Sequence, residues 1–409
     1  MTDERGTLRR IDWQELCPWL LILKSFRLAV GIRVLVLASV GLLVATSGWW
    51  ALGKVFSNGD NKDTNELVKD CSRCPFEIEK TPDELLIQSR NEGLRLPSIM
   101  HQTGPIGRVW HDLSRPFVHL FDVKLNFVQL AYLILGGVWS IAVWSLFGGA
   151  IARISALALA REDRVGIRAA LGFALRKWMG FVLGPLFPFV GVLLATIPLF
   201  VLGLLFRMDF ALVLSVILWP LVLAAGAFLA ILVLGLFFGW PLMWGTIGTE
   251  GTDAFDSLSR SYNYIRERPL HYLFYIAVAA AFGLLGGLLV DLFAHSIVHF
   301  GTWAISWGMG IDRLNEINAD STGFSHRVIH FWNSCVLALG TAFMYGFFFS
   351  AMTAVYLLMR LKVDAMELDE VFTDEEEQSY SMPPLTTDAA NVPKVADAPP
   401  VVENKKNDE

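Results

Sequence analysis

Six stretches of the chain run almost without charge and are long enough to cross a bilayer: 34–53, 125–152, 179–206, 210–249, 270–290 and 331–359. About 20 apolar residues in helical form traverse the hydrocarbon core. The pattern therefore predicts an all-α fold, a polytopic transmembrane helix bundle of about six spans. Stretch 210–249 is the ambiguous one, because about 40 uncharged residues make some 60 Å of helix, roughly twice the thickness of the core. No polar turn divides it, and a seventh span would carry Arg260, Arg266 and Arg268 across the membrane from the other basic clusters. It reads as one tilted helix, kinked near Pro220 and leaving the membrane around Pro241.

Short amphipathic stretches precede the three outgoing spans, at 11–30, 165–177 and 252–267, and each is expected to lie on the cytoplasmic surface. In the third, Ala254, Phe255, Leu258, Tyr262 and Ile265 form the apolar face, Asp253, Asp256, Ser259, Arg260 and Asn263 the polar one, and Thr252 is the expected N-cap. Ile167, Leu171 and Leu175 in the second repeat the spacing of Ala254, Leu258 and Tyr262, which suggests three units of surface helix, outgoing span and returning span.

The outer segments differ from one another. Loop 54–124 has room for a small subdomain with helical pieces near 82–90 and 117–128; segment 291–330 opens on an apolar run, 292–311, whose Trp303 and Trp307 suit the headgroup level and suggest an interfacial helix. The organisation expected is an amphipathic N-terminal segment 1–30, a membrane domain 31–362, and an acidic, proline-rich, disordered cytoplasmic tail 363–409. Three GxxxG pairs, Gly180 with Gly184, Gly235 with Gly239 and Gly283 with Gly287, point to close helix packing inside the bundle.

Composition agrees with a chain that faces lipid: 54% hydrophobic and 18% charged residues, with a mean hydropathy of +0.49. The net charge of -6 comes largely from the tail, where Asp369, Glu370, Asp374, Glu375, Glu376 and Glu377 cluster. No basic stripe is present, which excludes a nucleic-acid role. Basic residues before 30, between 153 and 177, at 260–268 and at Arg360 and Lys362 fall on one side of a six-span protein. By the positive-inside rule both termini are cytoplasmic, in the cell's cytoplasmic (inner) membrane. No small-residue cleavage site follows the first span, so the N-terminal region is not read as a cleaved signal.

Candidate chemistry is sparse. The spans are almost devoid of ionisable groups, which counts against an ion-coupled pump, and Asn126, Gln129, Asn333 and Thr353 are read as structural hydrogen-bonding groups. Cys71 and Cys74 lie three residues apart on an outer loop, where a local disulfide is expected; Cys17 and Cys335 are isolated. His295 with His299 and His326 with His330 are each spaced i, i+4, a chelating geometry that could hold zinc on the outer face together with Asp291, and His111, His119 and Asp122 share that side. The plainer reading makes them interfacial histidines with their tips in water. No nucleophile elbow, phosphate loop, zincin or dinucleotide motif occurs, so no catalytic residue, no cofactor and no enzyme activity are expected.

The stretch 250–269, EGTDAFDSLSRSYNYIRERP, resembles a feature of uncharacterised six-helix bacterial membrane families. One relative is the membrane domain attached to some glycerophosphodiester phosphodiesterases. The resemblance covers roughly the last two thirds of the membrane part and implies a six-span bundle without a defined activity. The chain lacks any phosphodiesterase catalytic domain, so no catalytic residue carries over. The leading expectation is a non-catalytic scaffold or assembly factor that lies in the lipid bilayer and meets protein partners through its tail. Its rival is a permease for a small or lipidic solute. Reporter fusions after Leu361 test the topology: a cytoplasmic reporter is expected to be active there, and activity of a periplasm-only reporter overturns six spans.

Overall fold

A computed structural model describes residues 17–57, 68, 104–121, 125–208, 211–310, 313, 323–372, 385–387 and 393–395. Cys71, Cys74 and the helical piece expected at 82–90 lie outside the described residues. The chain divides into two compact units, 1–371 and 372–409. In the second, β1 (Leu385–Thr387) pairs antiparallel with β2 (Pro393–Val395).

The first unit is the expected all-α bundle. A single 3-10 turn, Pro18–Leu20, leads into α1 (Leu21–Val30) and α2 (Ile32–Phe56). Then come α3 (Gly104–His119), α4 (Phe127–Ala160), α5 (Ile167–Arg176), α6 (Trp178–Leu205), α7 (Ala211–Glu250), α8 (Ala254–Glu267), α9 (Pro269–Met309) and α10 (Phe324–Val363). Six of these, α2, α4, α6, α7, α9 and α10, are long and apolar enough to cross a membrane. The stretch from 211 is one unbroken helix despite Pro220 and Pro241. It conceals no hairpin.

Glycines opposite aromatic rings set the helix spacing. Gly41 of α2 faces Phe147 and Trp144 of α4, Gly48 receives the Trp139 indole, and Gly136 of α4 receives the Trp49 indole of α2. Trp49 Nε1 then donates to Ser140 Oγ at 2.8 Å. Around α10, Trp144 stacks on Tyr345 with ring centroids 4.4 Å apart, and Trp244 on Phe349 at 5.5 Å. The three GxxxG pairs serve the same purpose within the chain: Gly184 lies by Ser257 and Met243, Gly235 by Tyr262, Gly283 by Phe347 and Pro105.

Packing is concentrated at one end, where α4, α7 and α10 finish; this is the closed end. In the most apolar window of each helix, 67% of α10 is buried, 6% of α6 and none of α7. Phe343, Phe347, Phe348 and Tyr356 of α10 are buried, whereas Phe324, Phe331 and Trp332, nearer its start, are exposed. Likewise Trp244 and Ile247 of α7 are buried, and Val216, Trp219, Phe228 and Ile231 face outward. Toward the other, open end the apolar side chains are exposed, and the strongest helix pairings there are α6 with α7 and α9 with α10.

Five sequence expectations need correction. The run 292–311 is not a separate interfacial helix: α9 continues through Asp291 to Met309, because nothing between 291 and 309 breaks a helix. The helix expected at 117–128 runs earlier, over Gly104–His119. Asp253, not Thr252, caps α8, its Oδ1 accepting from Asp256 N at 2.9 Å. The buried faces of the short helices are also rotated from those expected: α8 buries Ala254, Ser257, Ser261 and Tyr264 while Phe255 is 71% exposed, and α5 buries Ala170, Phe173 and Ala174 while Leu175 is exposed. Ala254, Ser257 and Ser261 on α8 and Ala170 and Ala174 on α5 take buried positions because small residues allow close approach. Likewise α1, expected on the surface, buries Ile22, Ser25 and Ala29 and packs against α10 and α9. Each short helix before an outgoing span thus buries a small pair four residues apart: Ser25 with Ala29, Ala170 with Ala174, Ser257 with Ser261.

The glycine holes can be tested. Gly136→Ala places a methyl in the Trp49 ring, whereas Gly226→Ala meets nothing within 4 Å. Overpacking costs about 1–3 kcal/mol, so thermal unfolding in detergent should show a lower midpoint for the first variant and none for the second. Equal midpoints would contradict the α2–α4 packing.

Candidate functional site

Two polar clusters interrupt this apolar bundle. The first ties up the closed end. Glu250, the last residue of α7, meets Arg260 Nη1 of α8 at 2.6 Å and Arg360 Nη1 of α10 at 3.6 Å, and accepts a hydrogen bond from Tyr356 Oη. Arg260 Nε also reaches Asp256, one turn back on α8, at 3.0 Å. Tyr264 Oη donates to Asp364, and its ring stacks on that of Tyr356 at an interplanar angle of 28°, centroids 5.9 Å apart.

Arg360 is 1% exposed, and its guanidinium also holds the chain that follows α10: Nη1 donates to Glu370 O at 2.6 Å and Nη2 to Glu367 O at 3.0 Å. From α4, Arg161 Nε donates to Asp369 O at 2.8 Å, and Val371 is buried against Ala156 and Leu157. Residues 364–371 are thereby strapped across the closed end. A buried charge is tolerated only with partners and hydrogen bonds of its own, and here a carboxylate and backbone carbonyls supply both.

The titration behaviour follows. Burial works against the charge of Arg260, but Glu250 and Asp256 outweigh it and its proton is held more tightly than usual. Burial raises the Tyr264 phenol, reinforced by Asp364. Burial also pushes Tyr262, whose hydroxyl donates to Leu232 O at 3.1 Å, up to about 12. Both phenols stay protonated donors at neutral pH. Arg360 Nε is buried without a hydrogen-bond partner, but the other charged and phenolic groups of the cluster pair with one another or with backbone carbonyls, and it reads as a clamp.

The second cluster rides on α3, which lies across the bundle. At its start Gly104 meets Leu284 of α9 and Pro105 fits against Gly283 and Gly287. In its middle Trp110 sits among Phe237, Phe238 and Trp240 of α7 and Phe348 of α10, with ring centroids 5.7, 6.2, 6.1 and 6.1 Å away. Toward its end Phe117 meets Gly137 of α4 and Phe189 of α6. At 1.5 Å per residue, Phe238 and Phe348 stand roughly 20 Å along their helices from the closed end. A helix inside a membrane bundle is permitted where protein surrounds it.

This helix has two faces. Ile106, Val109 and Trp110 are buried. Opposite them Arg108, His111, Asp112 and Arg115 are half-buried; the His111 and Asp112 side chains are 40% and 35% exposed, with Nδ1 and Oδ1 3.6 Å apart. Tyr345 of α10 has Arg108 and Asp112 as its neighbouring charges. Ionisable groups in such a place are retained at a free-energy cost and mark function by default. Sequence reasoning passed over Arg108, Asp112 and Arg115 because 16 residues are too few for a span. The signal was there in the helical alternation of Ile106, Val109, Trp110 and Leu113 with Arg108, Asp112 and Arg115.

The sequence-derived metal candidates lie elsewhere. His295 and His299 line a shallow open cleft on α9 with Ser296, Thr302 and Leu337, and His295 Nδ1 is 2.8 Å from Asp291 O. His326 and His330 of α10 stack with centroids 5.9 Å apart. Among the described residues no three His, Cys, Asp or Glu side chains gather as a metal site, so the two pairs are not brought together. Asp291 lies against Gly340 of α10 rather than ending a helix. Asn126 and Gln129 form a capping box at the start of α4, and Thr353 Oγ1 donates to Phe349 O at 2.8 Å; both are structural roles.

Compared with protein-family models, curated proteins and solved structures, the chain matches none.

The clamp makes a quantitative prediction. Arg360→Leu leaves Glu250 with one cation fewer and frees the carbonyls of Glu367 and Glu370, and breaking a buried pair costs about 3–5 kcal/mol. Unfolding in denaturing detergent should show that loss. Glu250→Gln combined with it should lose less than the sum of the single variants. Strict additivity would show that the two residues are uncoupled.

Proposed function

We propose that this chain is a non-catalytic permease for a lipidic or otherwise amphiphilic solute, lying in the cytoplasmic membrane with both termini in the cytosol. The observation that carries the reading is α3: a charged, half-exposed helix face inside the bundle, roughly 20 Å from a closed end and flanked by helices with exposed apolar side chains. A scaffold has no need of charge at that depth, whereas a solute that is part apolar and part polar requires both surfaces side by side. The clamp at the opposite end supports the same reading, since it seals the side toward which the solute would next move. The scaffold reading draws its own support from the strap 364–371, which gives the tail a fixed point of departure.

Labelling tests the proposal. In a chain whose native cysteines are replaced by serine, His111→Cys should react with a membrane-impermeant maleimide added outside sealed cells, and Val109→Cys, at 0% exposure, should not. Monoacyl lipids should slow the His111→Cys reaction, and their acyl-free headgroups should leave it unchanged. Silence at position 111, or labelling indifferent to the acyl chain, would favour the scaffold.

A further inference from the structure

We infer that residues 364–371 form a reversible latch: the strap lifts off α4 and α10 as one piece, and the closed end, with Arg360 uncovered, opens to solvent. The latch is independent of which solute, if any, the bundle passes. What holds the strap is the first argument. Of its side chains Val371 alone is buried, in the apolar corner made by Ala156 and Leu157 of α4. Most of the remaining hold is on main-chain oxygens. Arg360 donates to the carbonyls of Glu367 and Glu370, with Leu368 O 3.5 Å away, and Arg161 donates to that of Asp369. The side chains of Glu367, Asp369 and Glu370 stay exposed. Water can take the place of each arginine at a carbonyl with little net change, so the strap can lift without any charged side chain of its own changing environment.

The closed position also carries costs that lifting removes. Arg360 Nε is buried without an acceptor, which water would supply. Ala365, where the chain turns away from α10, has a φ of 54°, a left-handed conformation that a residue with a Cβ adopts at a cost. Asp364, Glu367, Asp369 and Glu370 crowd like charges into one short segment, and their repulsion favours a more extended chain. One buried valine and the arginine contacts oppose these terms, which sets the closed and lifted positions close in free energy. The strap joins α4, through Arg161 and Val371, to α10 and α8, through Arg360 and Tyr264. Lifting it therefore uncouples α4 from the clamp.

Arginine modification in the purified full chain tests this. Phenylglyoxal should modify Arg360, 1% exposed under the strap, slowly in the wild-type protein and several-fold faster in Val371→Ser, while Arg168, exposed on α5, should react at one rate in both. In a chain whose native cysteines are replaced by serine, Leu157→Cys and Val371→Cys should be joined by a short bis-methanethiosulfonate. Joining them should protect Arg360, and a reductant should restore its reaction. Arg360 inert in both wild type and Val371→Ser, or cysteines that the linker never reaches, shows a strap fixed in place and overturns the latch. Arg360 modified equally in the joined and reduced forms shows that the reagent arrives by another route, and overturns it as well. The joined and reduced forms are one polypeptide, so their comparison stands even where Val371→Ser folds poorly.

Discussion

Within a bilayer, apolar helices gain nothing by hiding from solvent, because lipid tails are as apolar as leucine; only close contact and hydrogen bonding can hold them together. That constraint explains where this bundle is solid and where it is not. Glycine opposite tryptophan recurs at Gly48 and Trp139, Gly136 and Trp49, and Gly41 and Trp144, and each pair gains dispersion contact that a leucine interface would lack. Where such pairs cease, toward the starts of α7 and α10, the large apolar residues are exposed. The short helices obey the same rule. Ser25 with Ala29, Ala170 with Ala174 and Ser257 with Ser261 dock them by smallness rather than by hydrophobicity.

The clamp around Glu250 adds what dispersion cannot, a fixed register. Its ion pairs join the ends of α7 and α10 to the middle of α8, and Arg360 draws the following segment over them. Burying Arg360 with Glu250 gains little net stability, since desolvation opposes attraction, but it strongly disfavours any arrangement that separates them. Geometry at the closed end is therefore better defined than packing alone would make it.

Much of the architecture was legible in the sequence because lipid imposes a length. The number of spans, the unbroken helix from 211, and the extent of α5 follow from apolar run length and the residues that flank it. The faces of the short helices were not legible, because hydrophobic periodicity assumes water on one side; here Phe255 and Leu175 are exposed while Ser257 and Ala170 are buried. The candidate site was missed for a related reason. Arg108 and Asp112 sit on a helix too short to span and too polar to be expected inside, and only contacts far apart in sequence, with Phe237, Leu284 and Phe348, carry it there. The pairing of Arg360 with Glu250, across 110 positions, leaves no local trace at all.

The length of α7, α9 and α10 has a further consequence for the membrane itself. A helix tilted by 40° in a core of about 30 Å places roughly 39 Å of its length in hydrocarbon, yet these three helices, at 40, 41 and 40 residues, each extend some 60 Å. At the open end the surplus of α7 is apolar, whereas that of α9 carries Asp291, His295 and His299 and that of α10 His326, Arg327 and His330; the closed end is held by ion pairs. Mismatch on this scale stretches the surrounding lipid in one leaflet more than in the other, at fractions of a kcal/mol per Å. The ionisable residues let the ends of α9 and α10 stand beyond the hydrocarbon, so the mismatch falls on α7, and the lipid it deforms is the lipid along that one side of the bundle.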